Sequence, residues 1–498
     1  MKIGNMRKIF GERSFLLLTG LLCCMNQLVF VHAIPTFQYV SILLALWAIP
    51  LLCKKVFIDT ESTFSNTMYT AGVMLAVTAL LSFFANGLAE PLRNLCGVAA
   101  IAINFLLILQ SEAFDNKRYF KTLLTTFFVI TVVFGLVGIV LLYFRISVAY
   151  PIAAYPHWLG IDQYTMRYCG VTGNSNSMSR FMHAGFLCGI PLLFLCKKKV
   201  SKGFTWAGLA ILLYNMLLTE SRGTIYSIYA GIFAVAVVWA LCSSDSFKKC
   251  LKNLAIGLLT AVLTVALLMG VHYVAVHYVP DLHSIQVGIG IDDDNSKDKD
   301  WEINRDNANY SGDFSNGRGE LWRLGITATI DRHPLLGFSY ANMGNGLREY
   351  VEETDYPLST DYVKNILDHL HNQFVQSFAH FGLLGLLLIV GVYFYFAKLT
   401  VKILLQKKKK MADKKMFLWI VFSVSTIAIY SMVESIFFFS FDNTLINFIM
   451  FFVLGIYISF AKENYGDEIL HDKVLDMFSK WVLALIQFIK RPFIKKTA

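Results

Sequence analysis

Charged residues are scarce in this chain of 498 residues: only 16% are charged, whereas 56% are hydrophobic. Soluble domains carry about a quarter charged residues and lack repeated long apolar runs, so an ordinary soluble protein is excluded. The nine cysteines show no metal-ligand spacing and fall mostly in apolar stretches, which argues against a zinc site or a disulfide framework. Despite a net charge of +10, no basic patch is interleaved with aromatic residues, so nucleic-acid binding is not expected.

Apolar runs suited to membrane helices occupy most of the chain. A helix needs roughly 20 apolar residues to cross the hydrocarbon core, where an exposed backbone amide would find no partner. The first run follows basic residues without a convincing cleavage site, which indicates a membrane helix and not a signal peptide. We therefore predict an all-α polytopic membrane protein of about 12 transmembrane helices. The runs lie near residues 14–33, 36–53, 68–86, 94–110, 122–144, 178–196, 204–219, 223–242, 253–276, 374–397, 416–434 and 443–461.

The charges are distributed unevenly about these runs. The polar insert 276–372 holds 17 acidic and 8 basic residues, whereas lysines crowd the short loops on one side of the other runs. Basic loops face the cytoplasm, so both termini are predicted to be cytoplasmic and the large, partly helical insert to face outward. The predicted units are helices 1–9 (1–275), the insert (276–372), helices 10–12 (373–462) and a cytoplasmic tail (463–498). Apolar residues at helical spacing in the tail predict an amphipathic helix on the inner leaflet.

Polar residues that could carry chemistry fall in four groups on the predicted outer face. Arginine there suits a diphosphate, because its planar guanidinium binds phosphate oxygens in bidentate fashion. Glycines in the same groups let the backbone approach a ligand closely. Asn174 begins the sixth predicted helix, so the backbone amides there can face an anion. The groups are the loop 145–176 with Arg180 one turn later, and residues 219–223, 315–322 and 368–372.

Each of these arginines also has a purely structural explanation. Arg93 and Arg145 at helix ends are expected to extend to lipid phosphate, and Arg318 can be an ordinary surface side chain. For Arg222 the structural explanation is weaker, since a charged turn at the membrane face is costly without a partner.

Histidine supplies the candidate general base. His371 could accept a proton from a hydroxyl, because histidine side chains titrate near neutral pH; the alternative is a histidine that caps the tenth helix. His369 is expected to point elsewhere on a helix, and His333 is expected to be structural. The acidic run Asp292–Asp300 lacks the glycine and closing glutamate of a calcium loop, so we predict a solvated turn.

In these groups the sequence resembles the bacterial O-antigen ligase and O-antigen polymerase family, integral membrane glycosyltransferases that act on undecaprenyl-diphosphate-linked glycans. The similar motifs cover about residues 165–400, and each is weak alone, but four occur in order on the predicted outer face. They are the Gly-rich stretch Arg167–Asn176, the Ser-Arg-Gly turn Leu218–Gly223, the block Asn316–Trp322 with His333–Gly337, and His371-Asn372 with Gly382–Gly385.

The resemblance implies a GT-C-like fold and an inverting, metal-independent glycosyltransferase without cofactors in the bacterial cytoplasmic (inner) membrane. Its donor would be an undecaprenyl-diphosphate-linked glycan, and its acceptor would be lipid A-core or another glycan. Membrane lipids would surround the protein. Arg222 and Arg318 would hold the diphosphate, His371 would act as the base, and the insert would close over the site. A further set would shape the cleft: Asn174, Asn176, Arg180 and Glu434.

Three alternatives to a surface-polysaccharide ligase remain open on sequence. A repeat-unit polymerase and a protein O-oligosaccharyltransferase belong to the same family and would share these residues, because the acceptor is recognised by variable loops. A lipid-linked oligosaccharide transporter could have as many helices, but transporters usually show internal repeats and charges near the bilayer midplane. Here the charged residues cluster on one face.

Overall fold

The protein is built mainly of helices, which a computed structural model describes in detail. The run Asp292–Asp300 and the motif residues Asn316 and Gly317 lie outside the described residues. The described residues are 11–32, 34, 38–59, 67–110, 116–150, 157–162, 167–277, 288–289, 318–356, 367–406, 413–435 and 444–494.

The helices of the described residues follow the predicted runs in order. Two of them, α3 and α5, continue into π-helical turns at Lys54–Ile58 and Asn104–Ile108. The helices are α1 (Glu12–Met25), α2 (Val29–His32), α3 (Gln38–Cys53), α4 (Thr67–Asn86), α5 (Pro91–Ile103), α6 (Lys117–Tyr143), α7 (Ser175–Leu195), α8 (Lys199–Leu218), α9 (Arg222–Cys242), α10 (Phe247–His277), α11 (Arg318–Arg332), α12 (Met343–Thr354), α13 (Gln373–Leu405), α14 (Lys414–Tyr430), α15 (Thr444–Tyr465) and α16 (Lys473–Ile494).

The chain is a polytopic membrane protein. Within the described residues, eight helices are long and apolar enough to span a bilayer. The other predicted runs are helical too, but α1, α3 and α14 have only 14, 16 and 17 residues. These eight spans are Met68–Asn86, Pro91–Ile108, Lys117–Tyr143, Ser175–Leu195, Arg222–Cys242, Phe247–Val276, Gln373–Leu405 and Thr444–Tyr465.

The first predicted run is not one continuous helix. Residues 26–28 interrupt it between α1 and α2. The buried Gln27 side chain donates a hydrogen bond from Nε2 to Thr444 Oγ1 at 3.0 Å. Because a buried amide must be paired, this contact with α15 competes with a regular helix at that point.

The all-α prediction is wrong for the loop that follows α6. It contains strands β1 (Ser147–Tyr150), β2 (His157–Asp162) and β3 (Arg167–Gly173), and β4 (Gly288–Ile289) completes a sheet of order β3-β2-β1-β4. Neighbours pair antiparallel except β1 with β4, which are parallel. A sheet satisfies the backbone polar groups of a segment that packs on the helix ends. Register shifts between β2 and β3 at Gly160 interrupt the alternating pattern by which strands are recognised.

Helix α15 is the centre of the bundle and α10 its periphery. The membrane-spanning window of α15 is 94% buried, whereas that of α10 is 11% buried. Phe448 of α15 packs edge-on against Phe127 at 5.4 Å between ring centroids, and Phe451 does the same with Phe105 at 4.9 Å. Aromatic contacts therefore help to pack the central helix against its neighbours.

Loops that follow successive membrane helices lie at alternate ends of the bundle, as expected for helices that cross the membrane in turn. At one end Lys117 pairs with Glu463 at 3.5 Å, and Lys398 of α13 pairs with Asp472 at 2.5 Å. At the other end Asn86 of α4 donates a hydrogen bond to the carbonyl of Gly337 in the insert at 2.7 Å. The predicted cytoplasmic loops and the tail thus share one end, and the insert occupies the other. Which end faces the cytoplasm stays a prediction from the charges.

Helix α13 is broken at Gly382, where the insert docks onto it. Gly382 has φ 62° and ψ −158°, outside the helical region. The turn 334–339 supplies the hydrogen bonds that the break leaves unmade, as a membrane helix requires. Residues 373–382 are covered by protein, and exposed apolar side chains begin at Leu383. The bonds run from Phe338 N–H to the Ala379 carbonyl (2.8 Å), from Ser339 to His380 (2.9 Å), from Leu383 to Pro334 (2.8 Å) and from Leu384 to Leu335 (3.4 Å).

We expect Gly382→Ala to destabilise the protein by about 3 kcal/mol, because a side chain there is strained and meets backbone atoms that cannot yield. A Cβ at Gly382 would lie 2.2 Å from the Leu335 carbonyl carbon. Gly391→Ala on the same helix is the matched control, since a Cβ there has no neighbour within 4 Å. The effect is measured as the midpoint temperature at which heated protein in detergent ceases to be monodisperse. Equal midpoints for both variants would contradict the docking role.

Candidate functional site

A buried carboxylate lies where the insert meets the helix ends. Glu434 is in the turn that follows α14 and is 2% exposed. Its Oε1 is 3.0 Å from Arg318 Nη2, and its Oε2 is 3.0 Å from His371 Nδ1 and 3.3 Å from Arg180 Nη1. These four residues form the Glu434 cluster. It joins α7, α11, the segment before α13 and the turn after α14, which are far apart in sequence.

The Glu434 cluster carries a surplus of positive charge. Burial alone would raise the pKa of Glu434, but His371, Arg318 and Arg180 together hold that pKa well below its usual value. Glu434 is therefore ionised at neutral pH, and one carboxylate faces two guanidinium groups. Two guanidinium groups beside a single carboxylate favour an anionic ligand over a cationic one.

The backbone around His371 is held in a strained conformation. His371 has φ 49°, in the left-handed region that non-glycine residues seldom adopt. The next two residues are fixed to the turn after α14, because Asn372 Nδ2 donates to the Met432 carbonyl at 2.8 Å and Gln373 N–H donates to the Ser431 carbonyl at 2.9 Å. Asn372 also caps α13, accepting hydrogen bonds from Phe374 and Val375. Such strain persists only where surrounding contacts impose it.

The contact with Glu434 defines the chemistry open to the His371 ring. If Nδ1 carries the proton, it donates to Glu434 Oε2, and Nε2 then becomes the acceptor of the neutral imidazole. A carboxylate that orients an imidazole and stabilises its protonated form is the arrangement of a general base. His371 is 22% exposed on its side chain, so the ring is within reach of a ligand.

His369 lies beside His371, and the expectation that the two point apart is wrong. The segment is not helical, the ring centroids are 4.5 Å apart, and His369 Nδ1 accepts the backbone N–H of His371 at 3.2 Å. Burial, followed by the neighbouring His371, lowers the pKa of His369 to about 3, so this ring is neutral at neutral pH. Its hydrogen bond to the His371 N–H helps to fix the backbone at His371.

Arg318 is the first residue of α11 and links the insert to the turn after α14. Its Nη1 donates to the Val433 carbonyl at 2.7 Å while Nη2 contacts Glu434. Trp322, one turn later, donates from Nε1 to the Leu370 carbonyl at 2.8 Å, which fixes α11 beside the histidine segment. Arg318 is 23% exposed, and these two contacts use two of the five N–H donors of a guanidinium.

The three candidates at the start of α7 have different surroundings. Asn174 is the N-cap, and its side chain accepts the Ser177 N–H at 2.8 Å. Asn176 accepts a hydrogen bond from Arg167 Nη2 at 3.4 Å. Only Arg180 among them is in direct contact with Glu434. Sequence ranked Arg180 and Glu434 below Arg318, yet the structure places both at the centre of the cluster.

Arg222 is the first residue of α9, next to the Glu434 cluster. A Cβ on the adjacent Gly223 would lie 2.9 Å from Val433 Cγ2, and Val433 precedes Glu434. Glu220 in the same turn has φ 51°, so it too lies in the left-handed region. The structure thus brings the Ser-Arg-Gly turn to the turn after α14, and the role of Arg222 toward a diphosphate stays a prediction.

A metal ion could in principle use three side chains of this region. His369, His371 and Glu434 each offer one ligand atom, all within 4.8 Å of one another. Both oxygens of Glu434 already contact a guanidinium, however, and a divalent cation would lie beside the positive charges of Arg180 and Arg318. This arrangement disfavours a cation and favours an anion.

The fold and the site define a polytopic membrane protein with a cationic polar site between an insert and its helix ends. Residues 207–390 match the family model described as O-antigen ligase. This part of the chain is therefore similar to the O-antigen ligase family. The match includes Arg222, Arg318 and His371; Arg180 and Glu434 lie outside it. No curated protein sequence matches the chain.

Proposed function

We propose that the protein transfers a glycan from an undecaprenyl-diphosphate carrier to an acceptor hydroxyl as a surface-polysaccharide ligase, on the outer side of a bacterial cytoplasmic membrane. The observation that carries the proposal is the contact of His371 Nδ1 with the ionised Glu434, beside Arg318 and Arg180. It combines a base for the acceptor with positive charge for the leaving group. The family match supports glycan transfer as the reaction type.

The proposed reaction is a direct displacement at the anomeric carbon of the donor. His371 Nε2 takes the proton of the acceptor hydroxyl as its oxygen attacks that carbon from the face opposite the diphosphate. A new carbon–oxygen bond forms, the bond to the diphosphate oxygen breaks, and the configuration inverts. Arg318 and Arg222 stabilise the charge that develops on the departing diphosphate. These guanidinium groups would supply the charge that a metal ion supplies in other phosphate chemistry.

The donor and the acceptor of the transfer are tested with the purified protein in nanodiscs. A synthetic undecaprenyl-diphosphate glycan is offered with lipid A-core or with a second copy of the lipid-linked glycan. A product on lipid A-core supports the ligase, whereas elongation on the carrier identifies a repeat-unit polymerase. Transfer to neither acceptor, nor to a protein hydroxyl, would refute glycan transfer.

In the same assay we expect Arg318→Ala to lower kcat/KM about 100-fold, because removing one preformed donor to a developing oxyanion typically has that effect. Arg323→Ala is the matched control: this arginine lies on the same helix, is exposed and contacts Tyr356. Arg323→Ala should transfer at the normal rate. Normal transfer by Arg318→Ala would remove the diphosphate assignment.

A further inference from the structure

A strip of apolar side chains lies exposed on α11, on the side opposite its packed face. The packed face carries Leu324 and Ala328, which are buried in the core of the insert. Ile326 and Ile330 each follow one of these residues by two positions, which turns them by about 200° around the helix. Ile330 is 55% exposed, and Leu335 in the turn after α11 is 61% exposed. Ile326, Ile330 and Leu335 form the apolar strip.

The charged residues at the end of α11 point to α12 and not into the apolar strip. Asp331 accepts a hydrogen bond from the Tyr350 hydroxyl at 2.5 Å. Arg332 pairs with Glu353, and both partners belong to α12. Toward the start of α11 the strip ends at Arg323, which is charged and exposed. A row of apolar side chains next to a charged end is typical of a helix that meets a membrane surface.

The apolar strip continues the lipid-facing surface of α13. The Pro334 carbonyl accepts the Leu383 N–H at 2.8 Å, and the Leu335 carbonyl accepts the Leu384 N–H at 3.4 Å. Leu335 therefore lies beside the first exposed apolar side chains of α13, which are Leu383, Leu384 and Leu387. Helix α13 is one of the eight helices long and apolar enough to span the bilayer. Exposed apolar surface thus extends from a membrane-spanning helix onto the insert.

We propose that the apolar strip is a lipid-contacting surface, seated in the bilayer leaflet on the insert's side of the membrane. The continuity with α13 selects lipid over a protein partner, because the acyl chains that cover Leu383 also reach Leu335. Helix α11 then enters the leaflet with its C-terminal end. Arg318 lies eight residues before Ile326, about 12 Å away along the helix axis. The seat thus limits how far Arg318 lies above the hydrocarbon.

The test places the photo-crosslinking residue p-benzoylphenylalanine at single positions of the full-length protein in phosphatidylethanolamine and phosphatidylglycerol nanodiscs. Ile330 is compared with Phe394, exposed on the lipid-facing side of α13, and with Glu349, exposed on α12. Mass spectrometry of the irradiated protein measures lipid adducts. The yield at Ile330 should exceed that at Glu349 at least about tenfold, since a half-exposed isoleucine prefers hydrocarbon to water by roughly that factor. Ile326 repeats the measurement at a second position, should the Ile330 variant not stay monodisperse.

The other occupants of the apolar strip are outcomes of the same experiment, run on a mixture of isotope-labelled and unlabelled protein. Peptide adducts within one chain, in place of lipid adducts, would mean that another part of the insert covers the strip. Adducts between labelled and unlabelled chains would mean that a second copy covers it. Either result overturns the lipid contact, as do lipid adducts at Phe394 with none at Ile330 and Ile326. None of these outcomes depends on glycan transfer.

Discussion

Replacing His371 with alanine should lower kcat for glycan transfer about 1,000-fold, because a positioned general base typically contributes a factor of that order. The ring contacts the buried, ionised Glu434 through Nδ1, so Nε2 is the nitrogen left to accept the proton of the acceptor hydroxyl. The donor diphosphate would still find Arg318 and Arg222. KM for the donor should therefore change by less than about threefold.

Transfer is measured under single-turnover conditions with the lipid-linked donor in nanodiscs. His471→Ala serves as the control, since His471 lies at the opposite end of the bundle and contacts Asp476 at 3.2 Å. It should transfer at the wild-type rate. Near-normal kcat in His371→Ala would exclude this residue as the base.

The second large effect is expected for Glu434→Gln, which keeps the shape of the side chain and removes its charge. An uncharged amide cannot neutralise the positive charge of Arg318 and the buried Arg180. Its NH₂ group would also point at an N–H donor where a carboxylate oxygen now accepts a hydrogen bond. Breaking a buried ion pair from one side typically costs about 3–5 kcal/mol of stability. The imidazole would also lose its orienting partner, so kcat should fall about as much as when the base itself is removed, about 1,000-fold.

The positioning role of Glu434 is separated from a merely structural one by three readouts. The kcat should fall much more than donor KM changes. The acidic limb of the rate profile should move to lower pH, because a protonated imidazole loses its counter-charge. Glu434→Asp, which keeps the charge, should recover part of the rate. An equal loss in Glu434→Asp and Glu434→Gln with an unmoved pH profile would refute positioning.

The pH dependence of stability follows from the same carboxylate. The pKa of Glu434 is held well below its ordinary value of 4.5, so the folded protein binds this proton less readily than the unfolded chain. The stabilisation is complete above pH 4.5 and is lost as the pH falls toward the folded value. The contribution of Glu434 to the difference in thermal midpoint between wild type and Glu434→Gln should therefore shrink as the pH falls below about 4.5.

Sequence predicted the framework well because hydropathy and charge act locally. The length of the apolar runs identified the helices, and the lysine pattern assigned each loop to one of the two ends of the bundle. Contacts within one end, such as that of Lys398 with Asp472, agree with this assignment. The first run was misjudged, since its break depends on a hydrogen bond from Gln27 to Thr444 across more than 400 residues. The sheet after α6 was missed because glycine-containing register shifts obscure its strands.

The site could be predicted only in part from the sequence, because its contacts join residues that are far apart in the chain. Arg318 and His371 could be chosen by residue type and motif, but their common partner lies 63 residues beyond His371 and 116 beyond Arg318. Glu434 belongs to no motif and could be named from sequence only as a cleft residue, because its central position depends on how the turn after α14 packs against the insert. His369 was misplaced because a helix was assumed where the backbone is irregular. Long-range packing decides all of these.

The broken helix at Gly382 has a mechanical consequence. The turn 334–339 is fastened to α13 through main-chain atoms, and the same helix begins two residues after His371. Any outward swing of α11 would have to break those hydrogen bonds or pull the base out of place. We therefore expect the turn 334–339 and the first turns of α13 to move together.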